Sequence, residues 1–175
     1  MKLRNHSLKV AAALMLSSGV AFAATDGTLG LSSTGTTDIT VTKGDLAQIT
    51  DMDDFNLGPW TAGNLVQTDT VCVFTTTGLY NVTADSANGA GTFQVNSGAN
   101  NIVYRVRWDD GATGLTTLTD ATLFDNGGAG LAGSTTSACG GVNNATLEIF
   151  LSNANMTAAP VGVYTDVLSV TVAAQ

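Results

Sequence analysis

Clustered carboxylates are the first residues in this sequence whose types could do chemistry. DMDDFN at 51–56 and WDDG at 108–111 offer the hard oxygen ligands that calcium takes. Neither has the spacing of a helix–loop–helix calcium loop with its distant bidentate glutamate, so both read as solvated loop acids. DNGGAGLAG at 125–133 is rich in glycine, but no lysine follows it and no strand-then-helix pattern surrounds it. It reads as a flexible surface loop and not as a phosphate cradle.

Nucleophilic catalysis needs a base beside the nucleophile, and the only histidine is His6, near the N-terminus. A carboxylate pair of the glycosidase kind would have to be built around the single glutamate, Glu148, or from aspartates that no pattern singles out. No catalytic residue, metal ligand or cofactor is expected. Trp60 and Trp108 could stack on a sugar. Trp108 sits on the apolar side of an alternating run and is expected in the core, while Trp60, beside Pro59 in a loop, stays open to either role.

The N-terminal residues set the compartment. Lys2, Arg4 and Lys9 form a basic head, an apolar run covers 10–16, and Ala21 and Ala23 stand in A-x-A spacing. This is the pattern of a secretory signal peptide over 1–23, directing the chain out of the cytoplasm. The apolar run is shorter than the roughly 20 residues a spanning helix needs, and no second candidate follows, so no membrane span is expected. Without that segment the basic residues are Lys43, Arg105 and Arg107 against 14 acids. Such a surface lacks the cations that neutralise phosphates, which excludes nucleic acid as a partner.

Cys72 and Cys139 are the only cysteines. In an exported chain they are expected to pair, since two thiols without histidine cannot complete a zinc site. The bridge would close a loop of 67 residues, between positions 72 and 139. The chain-entropy account gives such a closure roughly 4 kcal/mol.

The elements that would position these residues are short and alternating. NIVYRVRW puts Ile102, Tyr104, Val106 and Trp108 on one face, with Arg105 and Arg107 on the other. NNATLEIFL does the same with Ala145, Leu147, Ile149 and Leu151, and LYNVTAD with Tyr80, Val82 and Ala84. GTFQVN is shorter, VCVF at 71–74 is apolar throughout, and turn residues separate all of these runs. No stretch after residue 23 has a convincing helical period. The pattern predicts an all-β antiparallel sandwich.

Near the N-terminus, the odd positions Leu29, Leu31, Ser33, Gly35, Thr37, Ile39 and Val41 keep the period of a strand, but their middle is small and polar. Two readings follow: an extended arm hinged near STGTT, or a tail leading into a first strand at 38–42. At the other end Leu168, Val170, Val172 and Ala174 alternate in what is expected to be a terminal strand, with no following segment to pair with it.

Taken together, VCVF, LYNVTADS, NIVYRVRWDDG, CGGVNNATLEIF and PVGVYTDVLSVTV resemble the spore coat protein U domain family, which includes secreted pilus subunits of the archaic chaperone–usher pathway. ATDGTLGLSSTGTTDITVT, directly after the signal peptide, suits it too. The resemblance implies an immunoglobulin-like sandwich lacking its final strand, over 37–175, with an arm over 24–36. It implies that the arm of a neighbouring copy or related subunit fills the vacancy, after a periplasmic chaperone has held it open and an usher has released it. Residues 26–36 would be the donor, through Leu29, Leu31, Ser33 and Gly35, and the terminal strand with Leu168, Val170 and Val172 would border the groove. Gly162 stands fourteenth from the end, where such subunits often carry glycine. The implied role is a surface fibre in adhesion or biofilm formation. The alternative is a self-contained secreted binding module, for carbohydrate or another extracellular ligand, whose own N-terminal segment closes its groove.

Overall fold

Alternation of apolar and polar residues over several positions gives strands with one buried face, and strands are the main regular structure of the described residues. The computed structural model describes residues 25–175; the expected signal peptide, 1–23, lies outside the described residues. In chain order the strands are β1 (Ala47–Thr50), β2 (Leu65–Thr75), β3 (Leu79–Ser86), β4 (Gln94–Ser97), β5 (Asn100–Val103) and β6 (Arg105–Asp109). Then come β7 (Thr116–Thr117), β8 (Thr122–Phe124), β9 (Leu131–Ala132), β10 (Ala145–Leu151), a short helix α1 (Asn153–Ala158) and β11 (Leu168–Ala174). The fold is all-β and sandwich-like, with antiparallel sheets. One sheet has the order β1-β2-β10-β6-β7; a second runs β11-β3-β8, with β9 also on β3. β4 and β5 form a separate hairpin.

The core lies between the two larger sheets. Leu147 is opposite Trp108 and Ile149 opposite Val106, so β10 and β6 present one apolar face. Tyr80, Val82 and Ala84 of β3 join the same core from the other sheet. Burying side chains of this size contributes about 1.5–3 kcal/mol each. The Trp108 indole N–H donates to the Tyr80 hydroxyl at 2.9 Å, and the rings meet edge to face. That bond satisfies the one polar atom that so large a buried ring carries. Trp108 is therefore a core residue, as its alternation predicted. Cys72 and Cys139 are joined, tying the buried middle of β2 to the loop before β10.

Four details depart from the sequence reading. NIVYRVRW is two strands, not one: at Tyr104 the chain leaves the β4–β5 hairpin and enters the five-stranded sheet. The Tyr104 N–H donates to the Phe93 carbonyl at the switch. Residues 125–133 are not wholly a flexible surface loop, because Leu131 is fully buried and pairs with Tyr80 through β9. A six-residue helix, α1, follows β10, capped by Ser152 Oγ accepting from the Asn155 N–H. No strand forms at 38–42; among the described residues the first strand starts at Ala47.

The chain divides into two units between Lys43 and Gly44, later than the 36/37 boundary expected from sequence. Thr37–Lys43 have the strand period but join no sheet, and so they fall with the N-terminal unit. Within that unit the Thr25 and Thr36 backbones exchange two hydrogen bonds at 3.0 Å, closing residues 25–36 into a loop. All of residues 25–43 are exposed.

Candidate functional site

β11 alternates as cleanly as any core strand, yet none of its residues is buried. Leu168, Val170, Val172 and Ala174 are half-buried, and the intervening Ser169, Thr171 and Ala173 are exposed. The reason lies at the edge. β11 is hydrogen-bonded to β3 on one side, with Val172 opposite Val82 and Val170 opposite Ala84. Its other side has no partner strand among the described residues.

β1 is the corresponding edge of the five-stranded sheet, and it lies beside β11. Ile49 of β1 is half-buried against the same core, as are Phe55 and Leu57 in the segment that follows. Two unpaired backbone edges thus flank an apolar strip only partly shielded from water. Unpaired edges of this kind attract another strand.

The start of β11 is fixed by a carboxylate. Asp166 accepts from the Tyr104 hydroxyl at 2.6 Å, from Ser86 Oγ at 2.7 Å and from the Asn88 N–H at 3.2 Å. Burial pushes the Tyr104 phenol well above its ordinary pKa, and its bond to the Asp166 carboxylate raises it further, so the hydroxyl stays a donor. Beside it the buried Asp120 accepts from the Ser86 N–H at 2.9 Å. The segment entering the edge strand is therefore anchored by three hydrogen bonds to Asp166.

Of the residues read as a groove, Leu168, Val170 and Val172 share one face of β11. Gly162 is not among them. It lies in the connection before β11, where an added Cβ would fall 2.8 Å from Ser97 Oγ of β4. Leu29 and Leu31, read as donor residues with Ser33 and Gly35, are fully exposed within the closed 25–36 loop. Gly27 packs so tightly there that an added Cβ would collide with Ser33 Oγ.

The acidic stretches need correcting. Asp110 is not a solvated loop acid but is buried. Its Oδ1 accepts from the Thr113 hydroxyl at 2.7 Å and from the N–H groups of Thr113 and Ala112, and its Oδ2 from the Ala132 N–H at 2.7 Å. Burial pushes the Asp110 carboxyl up, but these four donors outweigh it and hold the group below the ordinary carboxylate range. Asp109 accepts from Gly111 and Gly114 in the same turn. Among the described residues, no three His, Cys, Asp or Glu side chains converge as a metal site would require. Trp60 is half-buried and donates its indole N–H to the Gly63 carbonyl, bracing its own loop. Sequence reasoning also missed the pairing of Glu148 with Arg107, which lies near the Phe150 ring together with Arg105. Glu148 lies directly opposite Arg107, a register set by the pairing of β10 with β6 that neither run shows by itself.

No helix of the described residues is long and apolar enough to cross a membrane. No protein-family model matches this chain, and no curated protein matches it.

Proposed function

We propose that this protein is an exported structural subunit that polymerises by strand exchange into a surface fibre used in adhesion or biofilm formation. The observation that carries this reading is the pair of neighbouring edge strands, β1 and β11, each with one edge unpaired among the described residues and half-buried apolar residues between them. An immunoglobulin-like sandwich lacking a strand has this shape. An added strand would gain main-chain hydrogen bonds along β11 and cover Leu168, Val170 and Val172. The motif resemblance to spore coat protein U domains, the expected signal peptide and the exposed N-terminal segment all support the same role. On this reading the donor belongs to a neighbouring copy or related subunit. A periplasmic chaperone and an usher are the partners that keep the groove open before assembly and deliver it.

The test is assembly of the mature protein, followed by size-exclusion chromatography with light scattering and by electron microscopy. Head-to-tail oligomers that survive dilution are expected, because each contact is a buried strand with slow release. A mature protein that stays monomeric at high concentration, with or without a chaperone release step, sinks the proposal and leaves the self-closed binding module.

A further inference from the structure

The best strand-forming sequence in the N-terminal unit is in no strand. TTDITVT, 36–42, carries β-branched residues at six of its seven positions, a composition enriched in pleated sheets. Ile39 and Val41 nevertheless stand 87% and 86% exposed, and no backbone–backbone hydrogen bond joins residues 37–43 to another described residue. Adjacent large apolar side chains on one face of a chain that makes no sheet mark a surface awaiting a partner. The stretch 26–35 differs in kind. It contains Gly27, Gly30 and Gly35, which weaken strands, and it is tied into a loop by the reciprocal Thr25–Thr36 bonds. A segment closed on itself must break those bonds before it can pair elsewhere.

We infer that the inserting stretch is Thr37–Lys43 of a second copy, with Ile39 and Val41 as its anchors, and that the 25–36 loop carrying Leu29 and Leu31 stays outside the groove. The inference rests on the assembly reading above and specifies its partner segment. Length agrees: Thr37–Lys43 is seven residues, as is β11. Each would span about 23 Å as a strand. Alternation agrees too. With Ile39 and Val41 turned toward Leu168, Val170 and Val172, the polar residues Asp38, Thr40 and Thr42 face water. Thr37 and Lys43 fall at the two ends of the inward face, where the long Lys43 side chain can carry its ammonium out to water.

The experiment compares two double variants of the full mature chain, Ile39→Asp with Val41→Asp and Leu29→Asp with Leu31→Asp, by light scattering and electron microscopy. The first pair should reduce polymer at least tenfold, and the second should leave it within twofold of wild type. A cross-linking arm guards against misfolding: copies carrying Val41→Cys are mixed with copies carrying Leu168→Cys, Val170→Cys or Val172→Cys. A disulfide-linked dimer is expected with at least one of the three, and none with Leu31→Cys in place of Val41→Cys. Polymer lost only in the Leu29/Leu31 pair, or in both pairs, overturns the assignment but leaves strand exchange standing. Polymer retained by both pairs overturns the assignment and leaves assembly to a different segment, whereas polymer absent from wild type overturns the assignment and the assembly reading together.

Discussion

The inner faces of β6 and β11 are written in the same code and end in different surroundings. Val106 and Trp108 alternate with arginines, as Leu168, Val170 and Val172 alternate with Val167, Ser169 and Thr171. Val106 and Trp108 are fully buried; the β11 residues are not. β6 has a strand on each side, β10 and β7, and Tyr80 of the facing sheet packs against Trp108. Among the described residues, β11 has β3 on one side only. Alternation fixes which way a side chain points, whereas burial depends on what the rest of the chain brings to cover it. The shortfall at β11 is where a partner can act.

The sharpest way to break this comparison is a charge on each face. Val106→Asp places an unpaired carboxylate in the closed core and should cost more than about 4 kcal/mol, enough to unfold most of the protein in chemical denaturation. A melting temperature unchanged by it would mean the face is wrongly assigned. Breaking the bridge comes next: the Cys72→Ala, Cys139→Ala variant should lose about 4 kcal/mol, and the oxidised wild type should show no labelled thiol when denatured. Two reactive thiols per chain would remove the framework on which β2 and the β10 approach are compared.

Val170→Asp is the partner experiment on the open face. Its charge can reach water, so the unassembled protein should lose only roughly 1–2 kcal/mol, while polymer formation disappears. A loss as large as that of Val106→Asp would show that β11 is as enclosed as β6. The smallest effect belongs to Asp110. Its carboxyl is held below the ordinary range in the folded protein, so its stabilisation is present above the unfolded carboxyl value and is lost as pH falls through the folded one. Asp110→Asn should cost about 1 kcal/mol at neutral pH. It should also flatten the acid limb of urea midpoints between about pH 2 and pH 5. An acid limb as steep as that of wild type would assign it to other carboxylates.

Much of the core was legible because apolar alternation is a local signal. Tyr104, Val106 and Trp108 share one face of their run and Leu147, Ile149 and Leu151 one face of theirs, and the fold class follows from such runs. The Cys72–Cys139 pairing follows from the exported compartment and from the lack of further zinc ligands. The burial of Asp110 was not legible, since one of its four donors, the Ala132 N–H, comes from a strand 22 positions away. The division of NIVYRVRW was hidden too, because crossing between sheets at Tyr104 leaves the period of two intact. Ile39 and Val41 were read as part of a longer alternating stretch. Their separation from Leu29 and Leu31 depends on the Thr25–Thr36 closure, which no composition signals.

The central ladder joins distant parts of the body: Leu65 pairs with Leu151 and Val71 with Ala145. Sheets dominated by such non-local pairing fold slowly, in milliseconds to seconds, because the intervening chain must be closed before any contact repays it. The Cys72–Cys139 link joins the two segments just beside the Val71–Ala145 pair. Once oxidised, the chain finds its central ladder as a nearly local event, so the disulfide governs folding speed as well as final stability. A reduced chain would make the same search across its whole length, leaving the edges of β1 and β11 open to misassembly for as long as the search lasts.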